Sequence, residues 1–342
     1  MDKLQYKFSG KTVDCYFDAG FSEIEKLVSK NKAVIITDEN IIALHADKFQ
    51  GWKTIVIKAG EENKQQAAVD NIINELIKFQ SDRETFIIGV GGGVVTDIAG
   101  YAAAVYMRGI KFAFAPASIL AMVDAGIGGK NGVDVGIYKN LVGTIKQPEF
   151  LFYDYSFLKT LPAGEWVNGF AEIIKHACIK DAGLFTLLEK KSPGSFQQSA
   201  EEIALLIKRN VEIKYTVVVN DEFETGERKL LNFGHTLGHA IENIYQLPHG
   251  HAVSIGISAA CKISEEINKF PAEESKRVIE LLKKYDLPVE LTFDKEKIWK
   301  VLLMDKKKAG EAMNFILLNK IGEGVIKSIP LQQLKELIFK NL

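Results

Sequence analysis

Four of the chain's six histidines, His235, His239, His249 and His251, stand close together in the sequence. On a helix opening near Gly234, His235 and His239 are one turn apart and share a face. His249 and His251 follow across a turn marked by Pro248 and Gly250. Drawing ligands from a helix and from the loop after it is how a zinc-type site is assembled. The alternative is a polar helix whose histidines cap or hydrogen-bond, which explains one histidine better than four. A further ligand comes from the stretch Glu165 to Lys180, which reads as a helix. There Glu172, Lys175 and His176 lie at i, i+3 and i+4 and share a face, while Phe170, Ile173, Ile174 and Ala177 supply apolar packing. One carboxylate with two imidazoles leaves a coordination position for a substrate hydroxyl. A Glu172–Lys175 surface pair is the other reading of that face, and His176 is a rival donor on the same helix.

A second chemistry is written in glycine. Gly91-Gly92-Gly93 follows the apolar run Phe86–Val90 and opens a helix of small residues. Glycines let a backbone approach a diphosphate, and a helix N-terminus presents free N–H groups with a positive dipole end. The spacing is not G-x-G-x-x-G, and tight strand–helix packing is the competing explanation. Asp38 and Glu61, each just past another strand, are placed to accept hydrogen bonds from ribose hydroxyls, which favours NAD over NADP. Asp38 is equally suited to a helix N-cap, and Glu61 to a solvated turn. A second glycine-rich segment, Val123 to Gly132, contains Lys130 and precedes Lys139-Asn140. Flexible backbone with lysines suits phosphate or carboxylate, or else it is a surface loop. Lys214, Glu224, Arg228, Lys306 and Lys307 are, one by one, ordinary solvated charges.

The elements that must carry these groups change character along the chain. Up to Pro148, short apolar strands alternate with helices, as in a parallel sheet wrapped by helices. Beyond Pro162 the patterns are mostly helical. The expected fold is an α/β, Rossmann-like domain with a mostly parallel sheet over residues 1–158, followed by an all-α metal- and substrate-binding domain over 159–342. At 342 residues, 47% hydrophobic, 25% charged and net charge −1, the chain shows no basic excess for nucleic acid and no apolar run of membrane-spanning length. Cys15, Cys178 and Cys261 are odd in number and widely spaced, which points to reduced thiols in a cytoplasmic protein.

Taken in order, GGGVVTD, MRG, VD-x-x-x-GGK, KN, GFAEIIKH, Arg228 to Asn232, FGHT-x-GHAIE, HG-x-AV and MDKK resemble the 3-dehydroquinate synthase family of sugar-phosphate cyclases. The resemblance spans about residues 38 to 320. It implies a homodimer that uses NAD+ and a divalent metal, Zn2+ or Co2+. The implied reaction converts 3-deoxy-D-arabino-heptulosonate 7-phosphate to 3-dehydroquinate and phosphate, through transient oxidation, elimination, re-reduction, ring opening and aldol closure. Carried over, the metal ligands are Glu172, His235 and His249, with His251 the rival for the third place and His239 a substrate-side acid/base or hydrogen-bonding group. Arg108, Asn140 and one of Lys306 and Lys307 fall on the phosphate side. Lys130, Lys214 and Arg228 fall on the carboxylate or hydroxyl side, and Lys175 and Asn232 also match substrate contacts. Asp124 would hold a hydroxyl, and Glu224 would orient a basic neighbour. The dinucleotide side comprises Asp38, Asn40, Glu61, Lys64, Gly92, Gly93, Val94, Asp97, Ala117, Ser118, Lys130, Lys139, Phe157 and Thr160. Two departures stand out. Pro116-Ala117-Ser118 replaces the usual Pro-Thr-Thr, which removes one hydroxyl and about 1 kcal/mol of NAD binding. Ala125-Gly126 replaces a commoner pair of serines. The rival activities are another sugar-phosphate cyclase, an NAD- and metal-dependent polyol dehydrogenase, and a catalytically silent nucleotide-binding protein.

Overall fold

The computed structural model describes residues 1–136, 138–292, 294–305 and 311–341. Its strands are β1 (Asp2–Lys7), β2 (Thr12–Phe17), β3 (Ala33–Asp38), β4 (Lys53–Ile57), β5 (Phe86–Gly91), β6 (Lys111–Pro116), β7 (Lys130–Val135), β8 (Tyr138–Ile145), β9 (Phe150–Phe152), β10 (Ala312–Lys320) and β11 (Glu323–Pro330). Its helices are α1 (Glu39–His45), α2 (Gln66–Lys78), α3 (Gly93–Val105), α4 (Ala163–Lys180), α5 (Ala182–Lys190), α6 (Pro193–Gln198), α7 (Ala200–Asn220), α8 (His235–Tyr245), α9 (His249–Asn268), α10 (Ala272–Lys284), α11 (Lys295–Asp305) and α12 (Leu331–Asn341). The chain forms two compact units, Met1–Trp166 with Ile203–Phe223, and Val167–Glu202 with Glu224–Leu342.

The first unit is built on a seven-stranded sheet in the order β1-β2-β9-β6-β5-β3-β4. Neighbours run parallel except for β1 against β2. The sequence dictates this, because β3 and β5 are unbroken apolar runs, which suit strands covered on both faces. Ile35, Ile88, Val90, Ala113 and Ala115 meet Phe21, Phe49, Trp52 and Phe157 in the core below them. On α2, Val69, Ile72 and Leu76 are buried at helical spacing, while Ile77 faces solvent. β3 leads outward to β4 on one side and β5 leads to β6 on the other, so the strand order reverses between β3 and β5. In open parallel sheets ligands bind at such a switch point, beyond the carboxyl ends of the strands. Asp38 ends β3 there, and Gly92 follows β5 there.

The segment Ile203–Phe223 belongs to this first unit although it lies far along the sequence. Tyr215 stacks on Tyr6 with ring centroids 3.8 Å apart. Glu222 accepts hydrogen bonds from Ser9 and Gln147. This division therefore differs from a single boundary at residues 158 and 159. The long helix α7 crosses it, because Lys208 and Tyr215 on one stripe of α7 are partners of Asp2 and Tyr6 on β1, and Glu222 just past the helix holds the turn after β1.

The second unit is mainly helical. α9 runs through its middle, with Ala252, Val253, Ile255, Ile257, Ala260 and Ile263 all buried. It also contains the antiparallel hairpin β10–β11, which an all-helical reading does not anticipate. Four consecutive residues of β10 are buried, so the strand lacks the alternation that marks a half-exposed strand in sequence. β10 is tied to α9 through the amide of Leu318, which donates to the Ser264 hydroxyl at 3.0 Å.

Candidate active site

Three helices of the second unit bring together Glu172 from α4, His235 from the first turn of α8 and His249 from the first turn of α9. The Nε2 atoms of both histidines lie 3.3 Å from Glu172 Oε1. One donor atom from each residue falls within 4.8 Å of the others. The imidazoles are held from behind. Nδ1 of His235 is 3.1 Å from the Phe233 carbonyl oxygen, and Nδ1 of His249 is 3.3 Å from Glu242 Oε2. With each Nδ1 turned to an oxygen behind it, Nε2 is the nitrogen that faces Glu172 and becomes a ligand atom once it gives up its proton. Two imidazole nitrogens and a carboxylate oxygen facing one point are the donor set of a catalytic divalent-metal site with a coordination position to spare.

The close packing of α8 on α9 sets this geometry. Gly234, the residue before α8, has φ +78°, a conformation L side chains rarely adopt. A Cβ on Gly256 of α9 would sit 1.9 Å from the Gly234 carbonyl oxygen. The two helices thus meet backbone to backbone, which holds His235 against His249. α4 is fixed to the start of α9, where the Gly250 amide donates to Asn168 Oδ1 at 3.1 Å.

Electrostatics reinforce the arrangement. Glu172 is fully buried and ion-paired through Oε2 with the equally buried Lys175. Burial alone would raise its pKa, but Lys175 and His235 hold the carboxyl well below the usual range. Burial opposes charge on His249, yet hydrogen bonds to Glu172 and Glu242 carry its imidazole up to about 10.

Of the remaining second-unit candidates, His239 lies beside this centre. The His239 ring centroid is 5.2 Å from that of His235 and 6.2 Å from that of His249. The donor set that includes both His235 and His249 takes Glu172, not His176. Among the described residues, His251 enters none of the donor sets. Arg228 is buried in the turn Glu227–Asn232. Asn232 Nδ2 donates to Glu224 Oε1 at 2.7 Å, so Glu224 orients an amide in this turn. Lys306 and Lys307 lie outside the described residues.

In the first unit, the glycines divide by purpose. A Cβ on Gly91 would strike Val95, which is a packing constraint. A Cβ on Gly92 would meet only the Ser118 hydroxyl at 3.6 Å, so sterics inside the chain do not demand a glycine there. Gly92 caps α3 without a side-chain hydrogen bond, so Gly93 and Val94 begin the helix with their N–H groups pointing out of it. Asp38 caps α1, its Oδ1 accepting from the amides of Asn40 and Ile41 at 2.9 Å. The helix-cap reading of Asp38 is therefore realised, with both bonds on one oxygen.

Lys64 is the centre of a buried network. Its ammonium lies 2.5 Å from Asp97, 2.6 Å from Asn140 Oδ1 and 4.0 Å from Glu61, which Lys139 approaches at 3.7 Å. Burial favours the neutral amine, but Asp97 and Glu61 keep Lys64 charged, with its pKa raised. Asp134, which the sequence did not single out, accepts from the Asn140 amide at 2.6 Å and donates its own amide to the Lys64 carbonyl. Asn140 needs this support, since its φ is +53°. Asp124 sits in a π-helical turn, Ala121–Ala125, and Lys214 of α7 reaches its carboxylate at 2.7 Å. Such turns mark functional positions more often than chance.

Other first-unit candidates are scattered. Ala117 is buried, and the Ser118 hydroxyl accepts from the Ala121 amide. Lys130 is exposed at the start of β7, and Arg108 is exposed beside Gly109. The Phe157 ring is core, packed edge-on against Phe21 and His45. Its carbonyl accepts from the Thr160 hydroxyl, which also lies 2.7 Å from His45 Nε2. His45 is thus another residue the sequence did not single out.

The family model of the 3-dehydroquinate synthase N-terminal region matches residues 54–168, and that of the C-terminal region matches 169–308. A 3-dehydroquinate synthase of Clostridium acetobutylicum is 38% identical, covering 96% of this chain and 97% of its own length. One from Campylobacter concisus is 37% identical, covering 90% of each. A 2-deoxy-scyllo-inosose synthase solved with carbaglucose-6-phosphate, NAD+ and Co2+ aligns over 100% of both chains with a TM-score of 0.87 and 25% identity. A 2-epi-5-epi-valiolone synthase from Streptomyces hygroscopicus, with NAD+ and Zn2+ bound, aligns over 99% of this chain and 97% of that one with a TM-score of 0.86 and 26% identity. Matched from end to end by curated relatives at this identity, the chain belongs to the 3-dehydroquinate synthase family.

Proposed function

We propose that the chain is a lyase converting 3-deoxy-D-arabino-heptulosonate 7-phosphate to 3-dehydroquinate and inorganic phosphate, a step toward chorismate and the aromatic amino acids. The observation that carries this reading is the inward-facing set Glu172, His235 and His249 in a chain that its relatives match along nearly its whole length. We assign the metal, Zn2+ or Co2+, to those three residues, and NAD+ to the carboxyl ends of β3 and β5 around Asp38, Gly92, Gly93 and Val94. When bound, the metal acidifies a hydroxyl and NAD+ accepts and returns a hydride, so the cofactor is recycled and no NADH accumulates.

The chain's own residues supply charge and position. The substrate carries a phosphate and a carboxylate, and Arg108, Lys130, Lys139, Lys175, Lys214 and Arg228 are the cations assigned to it, with Asn140, Asn232 and Asp124 as hydrogen-bonding groups. Within the first unit Lys214 is ion-paired with Asp124, and within the second Lys175 is ion-paired with Glu172, so these side chains are oriented in advance, which lowers the cost of positioning a flexible sugar. His239, beside the metal ligands, is placed to hold or move a proton on the substrate. The enzyme works as a cytoplasmic homodimer in this proposal, without nucleic acid or membrane. No helix of the described residues is long and apolar enough to cross a membrane.

The test of substrate class uses the carboxylate. With the heptulosonate phosphate, turnover is expected. With glucose 6-phosphate, which lacks the carboxylate, kcat/KM is expected to be lower by on the order of 10⁴, because Lys214 and Arg228 would be left without their anion. Preferential turnover of glucose 6-phosphate would move the assignment to another sugar-phosphate cyclase.

A further inference from the structure

α8 presents His235, His239 and Glu242 at i, i+4 and i+7, a single stripe two turns long. The first two carry roles above, and Glu242 carries none. It is a buried carboxylate, 6% exposed, and its Oε2 lies 3.3 Å from Nδ1 of His249. The other nitrogen of that ring, Nε2, is 3.3 Å from Glu172 Oε1. His249 is therefore gripped at both ends, by a carboxylate on the ligand side and by a carboxylate behind.

We propose that Glu242 is a positioning residue that keeps the proton on Nδ1 of His249, so that Nε2 points its lone pair at the metal. This rests on the metal assignment made above. The physical reason is the symmetry of imidazole. A neutral ring has one N–H, and its two tautomers are close in energy in water. Only one of them presents Nε2 as a donor. A buried anion behind Nδ1 selects that tautomer and orients the ring, the arrangement found behind histidine ligands in many metal sites. His235 has a backbone carbonyl for the same purpose. His249, at the first position of α9 after Pro248, relies on a side chain from α8 instead. The close approach of Gly256 to Gly234 keeps α8 near enough to provide it.

His239, Glu242 and His249 also form a donor set of their own. With Nε2 of His249 committed to the first centre, a metal on Nδ1 would require the ring to lose its last proton. A neutral ring donating to Glu242 needs no such step, so Glu242 orients and does not ligate.

The test measures metal binding and does not depend on catalysis. Apo protein is titrated with Zn2+ against a chromophoric chelator, and the visible absorption of the Co2+ form is recorded. Glu242→Ala is expected to bind Zn2+ about 10- to 100-fold more weakly, with an altered Co2+ spectrum, both read at a temperature where the apo variant is folded. Glu242→Gln keeps an acceptor for the Nδ1 proton and the same shape, so it is expected to bind between Glu242→Ala and the parent chain. It also serves if the alanine variant does not fold. Parental affinity and spectrum in both variants would overturn the proposal. So would a parent chain that binds two ions, one of which is lost in the variants while the other is unaffected. A parent chain that binds no metal would remove the ligand assignment itself and this proposal with it.

Discussion

Replacing Glu172 by Gln is expected to leave the chain folded while abolishing tight metal binding and lowering turnover by on the order of 10³-fold. The magnitude follows from chemistry, since metal stabilisation of developing oxyanion charge is worth several kcal/mol, and each 1.36 kcal/mol is about tenfold in rate. The choice of glutamine matters. Glu172 and Lys175 are a buried pair, and cutting one partner away costs about 3–5 kcal/mol because the other charge is stranded. Alanine would therefore mix a folding defect with a metal defect. Glutamine also leaves Lys175 without a counter-charge, but it keeps the volume and an oxygen that accepts from the ammonium, so its folding cost is smaller while the charge that the metal needs is gone. Metal content after desalting and the rate of phosphate release read the two consequences separately. Full metal content with full activity in Glu172→Gln would end the ligand assignment.

Gly256→Ala is expected to be the most disruptive small change in the second unit. Its Cβ would be 1.9 Å from a backbone oxygen, not from the end of a flexible side chain, so α8 and α9 must separate. Overpacking of this kind typically costs about 1–3 kcal/mol, with larger values where backbone has to move. The geometric effect reaches the metal. Separating the helices pulls His235 away from His249 and Glu242 away from the back of its ring. A lowered unfolding midpoint accompanied by weakened Zn2+ binding is the expected pair of results. A stable Gly256→Ala protein with parental metal affinity would show that helix contact does not set the ligand spacing.

Residue type carried most of the metal centre in the sequence. Four histidines in a short window and a carboxylate on a neighbouring amphipathic helix name their own chemistry, and the choice of Glu172 came with the family resemblance. What stayed hidden depended on partners far away in the chain. Glu242 lies in the quoted motif, and its spacing from His235 was visible, but its use was not. Only the fold shows that His249, from the next helix, turns its Nδ1 that way. Asp134 reads as one more turn residue until Asn140 is seen at φ +53° leaning on it. The parallel sheet was legible because its strands are continuous apolar runs bounded by glycine and polar turns. The membership of Ile203–Phe223 in the first unit was not, because amphipathicity states that a helix has an apolar face and not which surface receives it. The hairpin β10–β11 escaped for a related reason, since burial against α9 replaces alternation with a solid apolar stretch. The Phe157 ring is buried against Phe21 and His45, a packing that its place in the sequence did not show.

The central claim is that NAD+ is consumed and regenerated within one turnover while phosphate leaves. The direct measurement follows phosphate release from the heptulosonate phosphate alongside absorbance at the NADH band, with and without a chelator. One phosphate per substrate, no accumulating NADH, loss of activity with chelator, and recovery on adding Zn2+ or Co2+ are expected. NADH rising in step with substrate consumed would contradict it and identify a dehydrogenase.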